Sequence, residues 1–149
     1  MKITYFKDAY EALTPYYIDI EQAYERIRSG KSKAQVELIR ASTDDDVRDM
    51  AKKKLPCIVF GGEFTARNNI SCTKQSRILI LDIDKIKEKL ASTKAEVIKL
   101  PFVQAAFDSP SGTGLKVAIL LSTENHLGHF LKLEQFFLEK FNIQIDPAC

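Results

Sequence analysis

Apolar and polar positions change rhythm along the chain, and that rhythm predicts its elements. Lys2 to Phe6 alternates at the period of a strand. Ile20, Ala23, Tyr24 and Ile27 then recur at helical spacing behind Asp19 and Gln22, a capping-box pair, and Gly30 supplies the stop. Ser32 with Gln35 repeats the start signal, with Val36 and Ile39 on the apolar face. Thr43 and Asp44-Asp45-Asp46 begin a third helix that Lys52-Lys53-Lys54 ends, acid first and base last, as the helix dipole favours. Leu55 to Phe60 reads as a buried strand ended by Gly61-Gly62. Between Glu63 and Ser76 no period dominates, and Asn68-Asn69 marks a turn.

From Arg77 onward the order is clearer. Arg77 to Ile83 reads as a strand, Ile86 to Leu100 as a helix with a break at Ser92-Thr93, and Phe102 to Asp108 as a strand. Residues 110–114 form a turn and Leu115 to Leu121 a further strand. Thr123 caps a long helix whose inner face is Leu127, Phe130, Leu131, Phe137, Leu138 and Phe141. Ile143 to Asp146 starts a last strand, which reads as cut short where the sequence stops at Cys149. The order β-α-β-β-α-β is that of the ferredoxin-like split unit. The fold class expected is therefore α+β. A ferredoxin-like or RRM-like palm spans residues 77–149, and an N-terminal α/β lobe spans residues 1–76, within a single domain.

Composition narrows the class. The chain has 149 residues, 45% apolar and 28% charged, which is the make-up of one globular domain. Its longest clean apolar run, Val117 to Leu121, falls far short of the about 20 residues of a membrane span. The opening MKITYFKDAY has no secretory pattern. No membrane partner and a cytoplasmic location are expected. The net charge of +2 is lower than a free-standing nucleic-acid binder often carries, so any such role needs a local patch or a neighbouring domain. Cys57, Cys72 and Cys149 are odd in number and form no CxxC pair, so neither a disulfide framework nor a zinc site is expected.

The predicted topology gathers chemistry at one place. In a ferredoxin-like sheet the end of the first strand lies beside the start of the fourth, and the turn after the second opens at the same end. Asp82 and Asp84 close the first strand, Ser111 to Lys116 forms the turn, and Asp146 opens the fourth. Side chains two apart on a strand share a face, so Asp82 and Asp84 point together. Two carboxylates that close repel, and a hard divalent cation removes the conflict. A third, Asp146, allows a pair of ions. The turn is the complement: Gly112 and Gly114 let backbone N–H groups approach a phosphate, Ser111 and Thr113 add hydroxyls, and Lys116 adds a charge. Taken singly each piece has a plainer reading. Asp84 can cap the next helix, a Gly-x-Gly is often only a turn, and Asp146-Pro147 is a common turn starter. The inference rests on convergence.

Three stretches carry a family resemblance: Leu79-Ile80-Leu81-Asp82-Ile83-Asp84, Ser109-Pro110-Ser111-Gly112-Thr113-Gly114-Leu115-Lys116 and Ile145-Asp146-Pro147-Ala148-Cys149. They resemble the motifs of archaeo-eukaryotic-type primase-polymerases, most closely the N-terminal primase-like domain associated with virulence-associated protein E in Bacteroidetes. Phe6-Lys7-Asp8, Ile27 to Lys31, Leu55-Pro56 and Phe60 to Arg67 resemble that family's opening half. The resemblance implies metal-dependent nucleotidyl transfer in phage-like or mobile-element DNA replication. It implies Asp82, Asp84 and Asp146 as catalytic metal ligands for Mg²⁺ or Mn²⁺. It also implies Ser109, Ser111, Gly112, Thr113, Gly114 and Lys116 around the nucleotide phosphates. Lys116 stands where many members carry His. Expected partners are a nucleoside triphosphate, single-stranded or primed DNA, and a helicase-type domain or protein.

Other residues divide less sharply. Arg67, Lys74 and Arg77 could line a template groove, although a solvated loop is the simpler reading. His126 and His129 read as satisfied helix residues, and Phe102 and Phe107 as core. Asp108 is a minor candidate for a further acid. Two other functions compete with the nucleotidyltransferase. One is a catalytically inactive nucleic-acid- or partner-binding module of the same replication system. The other is a different palm-type enzyme such as a nucleotide cyclase. Base stacking on the sheet is disfavoured because Arg77 to Ile83 and Leu115 to Leu121 contain no aromatic residue.

Overall fold

A computed structural model describes residues 1–147; Ala148 and Cys149, the last two positions of the third motif, lie outside the described residues. The protein is mixed α and β with small antiparallel sheets, and it divides into two compact units after Ser76.

In the first unit, β1 (Lys2–Phe6) is the middle strand of a sheet ordered β2-β1-β3, with β2 (Tyr16–Asp19) and β3 (Cys57–Val59) antiparallel to it. Helices α1 (Ile20–Arg28), α2 (Lys33–Ala41) and α3 (Asp45–Lys53) come between β2 and β3. The Asp19/Gln22 capping box opens α1, and Gly30, at φ +67°, follows its end. Asp44 caps α3 by accepting from the Asp46 and Val47 N–H groups. Ile3, Phe6, Ile20, Ala23, Ile39, Ala51 and Phe60 are its buried apolar residues. The stretch without a clear period contains a hairpin of β4 (Gly62–Phe64) and β5 (Cys72–Gln75). The buried Thr4 hydroxyl holds it, donating to the Gly62 carbonyl (2.8 Å) and accepting from the Phe64 N–H (2.8 Å). Strand β2 is an addition to the sequence reading.

In the second unit, β6 (Ile78–Ile83), β7 (Val103–Asp108) and β8 (Leu115–Leu120) form an antiparallel sheet ordered β6-β8-β7. A 3-10 turn (Lys87–Lys89) leads directly into α4 (Leu90–Val97), so the irregularity lies before Leu90 and not at Ser92-Thr93. Helix α5 (His126–Phe141) starts at Asn125, whose Oδ1 accepts from the Gly128 N–H (3.0 Å), not at Thr123. Leu79, Leu81, Ile83, Leu115, Val117, Ile119, Phe137, Ile143 and Ile145 build the core, with Phe130, Leu133, Phe136 and Phe141 packed on it. Leu127, Leu131 and Leu138, expected on the inner face of α5, are more than half exposed. After α5, residues 143–147 form no assigned strand. They do alternate like one, with Ile143 and Ile145 buried and Gln144 exposed.

Candidate functional site

The three sequence motifs meet at the end of β6. Strand β6 alternates because one face carries Leu79, Leu81 and Ile83 into the core, which leaves Ile80 and Asp82 for the other. Asp84 follows the strand and is exposed. On one edge of β6, Asp82 stands directly opposite Lys116 of β8. On its other edge the Asp82 carbonyl accepts from the Asp146 N–H at 3.0 Å. Asp146, far along the chain, thus lies beside Asp82.

The turn between β7 and β8 abuts the same place. Gly114 packs so closely on the β6 exit that a Cβ there would lie 2.6 Å from the Ile83 carbonyl oxygen. The same atom would lie 3.0 Å from Asp84 Oδ1 and 3.3 Å from Ser109 Oγ. Only glycine allows that approach. Lys85, the residue after Asp84, takes a left-handed conformation (φ +59°), and the next N–H, of Ile86, donates to the Thr113 carbonyl (2.9 Å). Backbone thus ties the first motif to the second.

Inside the turn, hydroxyls and amides divide the work. Ser109 is buried, and its Oγ accepts from the Gly114 N–H (3.1 Å). The N–H of Gly112, a residue at φ +72°, donates to the Ser109 carbonyl (2.9 Å). Both glycine amides expected to face a phosphate are therefore spent within the loop. The Ser111 and Thr113 N–H groups make no hydrogen bond among the described residues. The hydroxyls of Ser109, Ser111 and Thr113 form a row, 3.0 Å and then 2.9 Å apart.

Charge is concentrated in one contact. Lys116 places its ammonium on the Asp82 carboxylate, with the two side chains 29% and 26% exposed. Among the described residues no three His, Cys, Asp or Glu side chains are gathered closely enough to hold a metal ion. The positive charge beside Asp82 comes from Lys116.

The remaining candidates have surroundings of their own. Arg67 and Lys74 belong to the first unit. The Arg67 guanidinium donates to the Ala9 carbonyl (2.9 Å) and lies 3.2 Å from Cys57 Sγ, which makes it a loop anchor, and Lys74 pairs loosely with Glu63 (3.9 Å). Arg77 is exposed at the start of β6, while Asp82 is at its end. Asp108 is held by Lys94 of α4 (2.8 Å). His129 Nε2 lies 3.0 Å from Thr123 Oγ1, in a cavity lined by Ser122, Asn125, Gly128 and Lys132 at the start of α5. Phe102 packs on Phe136, with ring centroids 5.8 Å apart. Phe107, expected in the core, instead stands opposite Lys116 on the face that carries Asp82. The sequence signal for Phe107 was hidden by a bulge: the register shifts between Val103 and Ala105.

Comparison with known proteins places the chain in a family. A family model described as BT4734-like, N-terminal domain, matches residues 50–143, more than half of the chain. The match includes Asp82, Asp84 and the whole turn from Ser109 to Lys116, and stops before Asp146. None of the curated proteins and none of the solved structures matches.

Proposed function

The chain belongs to the BT4734-like N-terminal domain family, and we propose, from its three motifs and their meeting at the end of β6, that it is a metal-dependent nucleotidyltransferase domain of primase-polymerase type. It would add nucleotides to a primer or a starting strand on a DNA template. The observation that supports the reading is the Asp146 N–H bonded to the Asp82 carbonyl, which brings the backbone of the third acidic residue to the strand that carries the first. The order β6-β8-β7, with residue 146 on the free edge of β6, supports reading the second unit as a ferredoxin-like palm.

The donor set fits Mg²⁺ or Mn²⁺. Asp82, Asp84 and Asp146 offer only hard oxygen ligands, and the ammonium on Asp82 marks that carboxylate as one that already holds a cation. Asp82, Asp84 and Asp146 would hold the divalent ions, which would supply charge stabilisation for the oxygens of an in-line phosphoryl displacement. The protein's own groups do the rest. Lys116 exchanges Asp82 for the phosphate tail, as a mobile point charge can. The Ser111 and Thr113 amides, unbonded among the described residues, would donate to the same anion and orient it. Gly114 keeps this turn pressed against the β6 exit, so the phosphate donors and the carboxylates stay in register.

A second reading has its own observation. A carboxylate already neutralised by lysine needs no metal, which suits a non-catalytic nucleic-acid- or partner-binding module of the same system. One experiment separates the two. The protein is incubated with primed single-stranded DNA, labelled nucleoside triphosphates and Mg²⁺ or Mn²⁺. Template-dependent extension that is abolished by EDTA and by Asp82→Ala supports the transferase. DNA binding without extension, indifferent to EDTA and to Asp82→Ala, Asp84→Ala and Asp146→Ala, supports the module and overturns the first reading.

A further inference from the structure

We infer that Phe107 is the packing surface for the nucleoside part of the substrate, an inference that rests on the nucleotide-site reading above. Three residues form one row across the sheet. Asp82 of β6 is opposite Lys116 of β8, and Lys116 is opposite Phe107 of β7. Directly opposed residues in an antiparallel sheet share a face, with their Cβ atoms about 5 Å apart. A carboxylate, an ammonium and an aromatic ring therefore stand in sequence along a line.

Two observations set Phe107 apart from the other aromatics of this unit. Phe102, Phe130, Phe136, Phe137 and Phe141 all belong to or pack on the core. Phe107 does not, although Val103 and Ala106 of its own strand do. The bulge after Val103 is the cause. It puts Ala106 opposite the core residue Val117 and so turns Phe107 to the face of Lys116. The ring remains only half-buried there.

The row has the polarity of a nucleotide. Phosphates need the cation and the metal-binding carboxylates, while the sugar and base need an apolar, flat partner that tolerates any base. Lys116, on the middle strand, reaches the phosphates from between the two. The ring on the outer strand meets the nucleoside on the side away from Asp82. Base packing on this sheet thus comes from β7, a strand outside the β6–β8 pair.

The chain contains no tryptophan, so Phe107→Trp supplies a single reporter in the full protein. This variant is titrated with a nucleoside triphosphate and Mn²⁺, and separately with inorganic tripolyphosphate and Mn²⁺. Its indole fluorescence is expected to be quenched by the nucleotide and not by tripolyphosphate. Phe107→Leu is expected to weaken nucleotide binding about tenfold, within the range of one aromatic–base stack, and to leave tripolyphosphate binding unchanged. Nucleotide binding that depends on Asp82, with no change in the indole fluorescence of Phe107→Trp and equal affinity in Phe107→Leu, overturns the inference and leaves the site standing. No binding of either ligand to the wild-type protein overturns both.

Discussion

Lys116 faces Asp82 across the β6–β8 ladder and covers its carboxylate with an ammonium. A divalent ion at Asp82 must displace that ammonium, so lysine and metal compete. Lys116→Met is expected to bind Mn²⁺ about three- to tenfold more tightly, the scale of a partly solvent-screened ion pair. The same variant is expected to bind tripolyphosphate more weakly, because it lacks the ammonium proposed to hold the phosphates. Calorimetric titration reads both, and equal Mn²⁺ affinity in the two proteins contradicts the competition.

Gly114 is the tightest point of the site. Gly114→Ala forces its methyl group onto the Ile83 carbonyl and the Asp84 carboxylate, so the turn must move off β6. A loss of about 1–3 kcal/mol in urea denaturation is expected, typical of overpacking against backbone. Gly112→Ala meets only the left-handed backbone penalty of about 1–2 kcal/mol, and leaves the β6 contact in place.

The start of α5 separates two nearby polar residues. Asn125→Ala removes the acceptor of the Gly128 N–H and is expected to cost about 1 kcal/mol of stability. Thr123→Ala leaves that cap intact and is expected to cost less. Thermal denaturation of the two variants decides between them.

Tyr24 stacks on Phe60 (ring centroids 5.9 Å), and its hydroxyl has no hydrogen-bond partner among the described residues. Burial, with a smaller push from Glu21, raises its pKa from 10.0 to about 12. The folded state therefore holds this proton more tightly than the unfolded chain. The contribution is complete below pH 10 and is lost as pH rises from 10 to about 12. Tyr24→Phe is expected to flatten that part of the stability–pH curve. At neutral pH it is expected to change stability by no more than about 1 kcal/mol, since no hydrogen bond is lost. Chemical denaturation at pH 7 and pH 11 checks both.

Much of this was legible from residue pattern, where one face of an element is apolar and the other is not. Strand β6 is such a case, with Leu79, Leu81 and Ile83 alternating against Asp82. The caps at Asp19 and Asp44 are local chemistry and need no tertiary context. Helix α5 was half legible because apolar residues encircle it. Leu127, Leu131 and Leu138 share a stripe as regular as that of Phe130, Leu133, Phe137 and Phe141, and packing chose the aromatic one. Strand β2 gave no signal because Tyr16-Tyr17-Ile18-Asp19 sits at a sheet edge without a buried face. The side of Phe107 was beyond any parity argument, since one extra residue in a bulge reverses it. Within the turn, composition pointed to glycine amides, but hydrogen bonding occupies both of them inside the loop and leaves the Ser111 and Thr113 amides unbonded among the described residues.

The central claim is that carboxylates remote in sequence act as one cation site, and Mn²⁺ binding tests it most directly. Free Mn²⁺ is followed by electron paramagnetic resonance as wild-type protein, Asp82→Asn and Asp146→Asn are added, with circular dichroism confirming that each is folded. Wild-type protein is predicted to remove Mn²⁺ from solution, and each substitution alone to weaken that uptake at least about tenfold. Undiminished Mn²⁺ uptake by both variants would contradict the account.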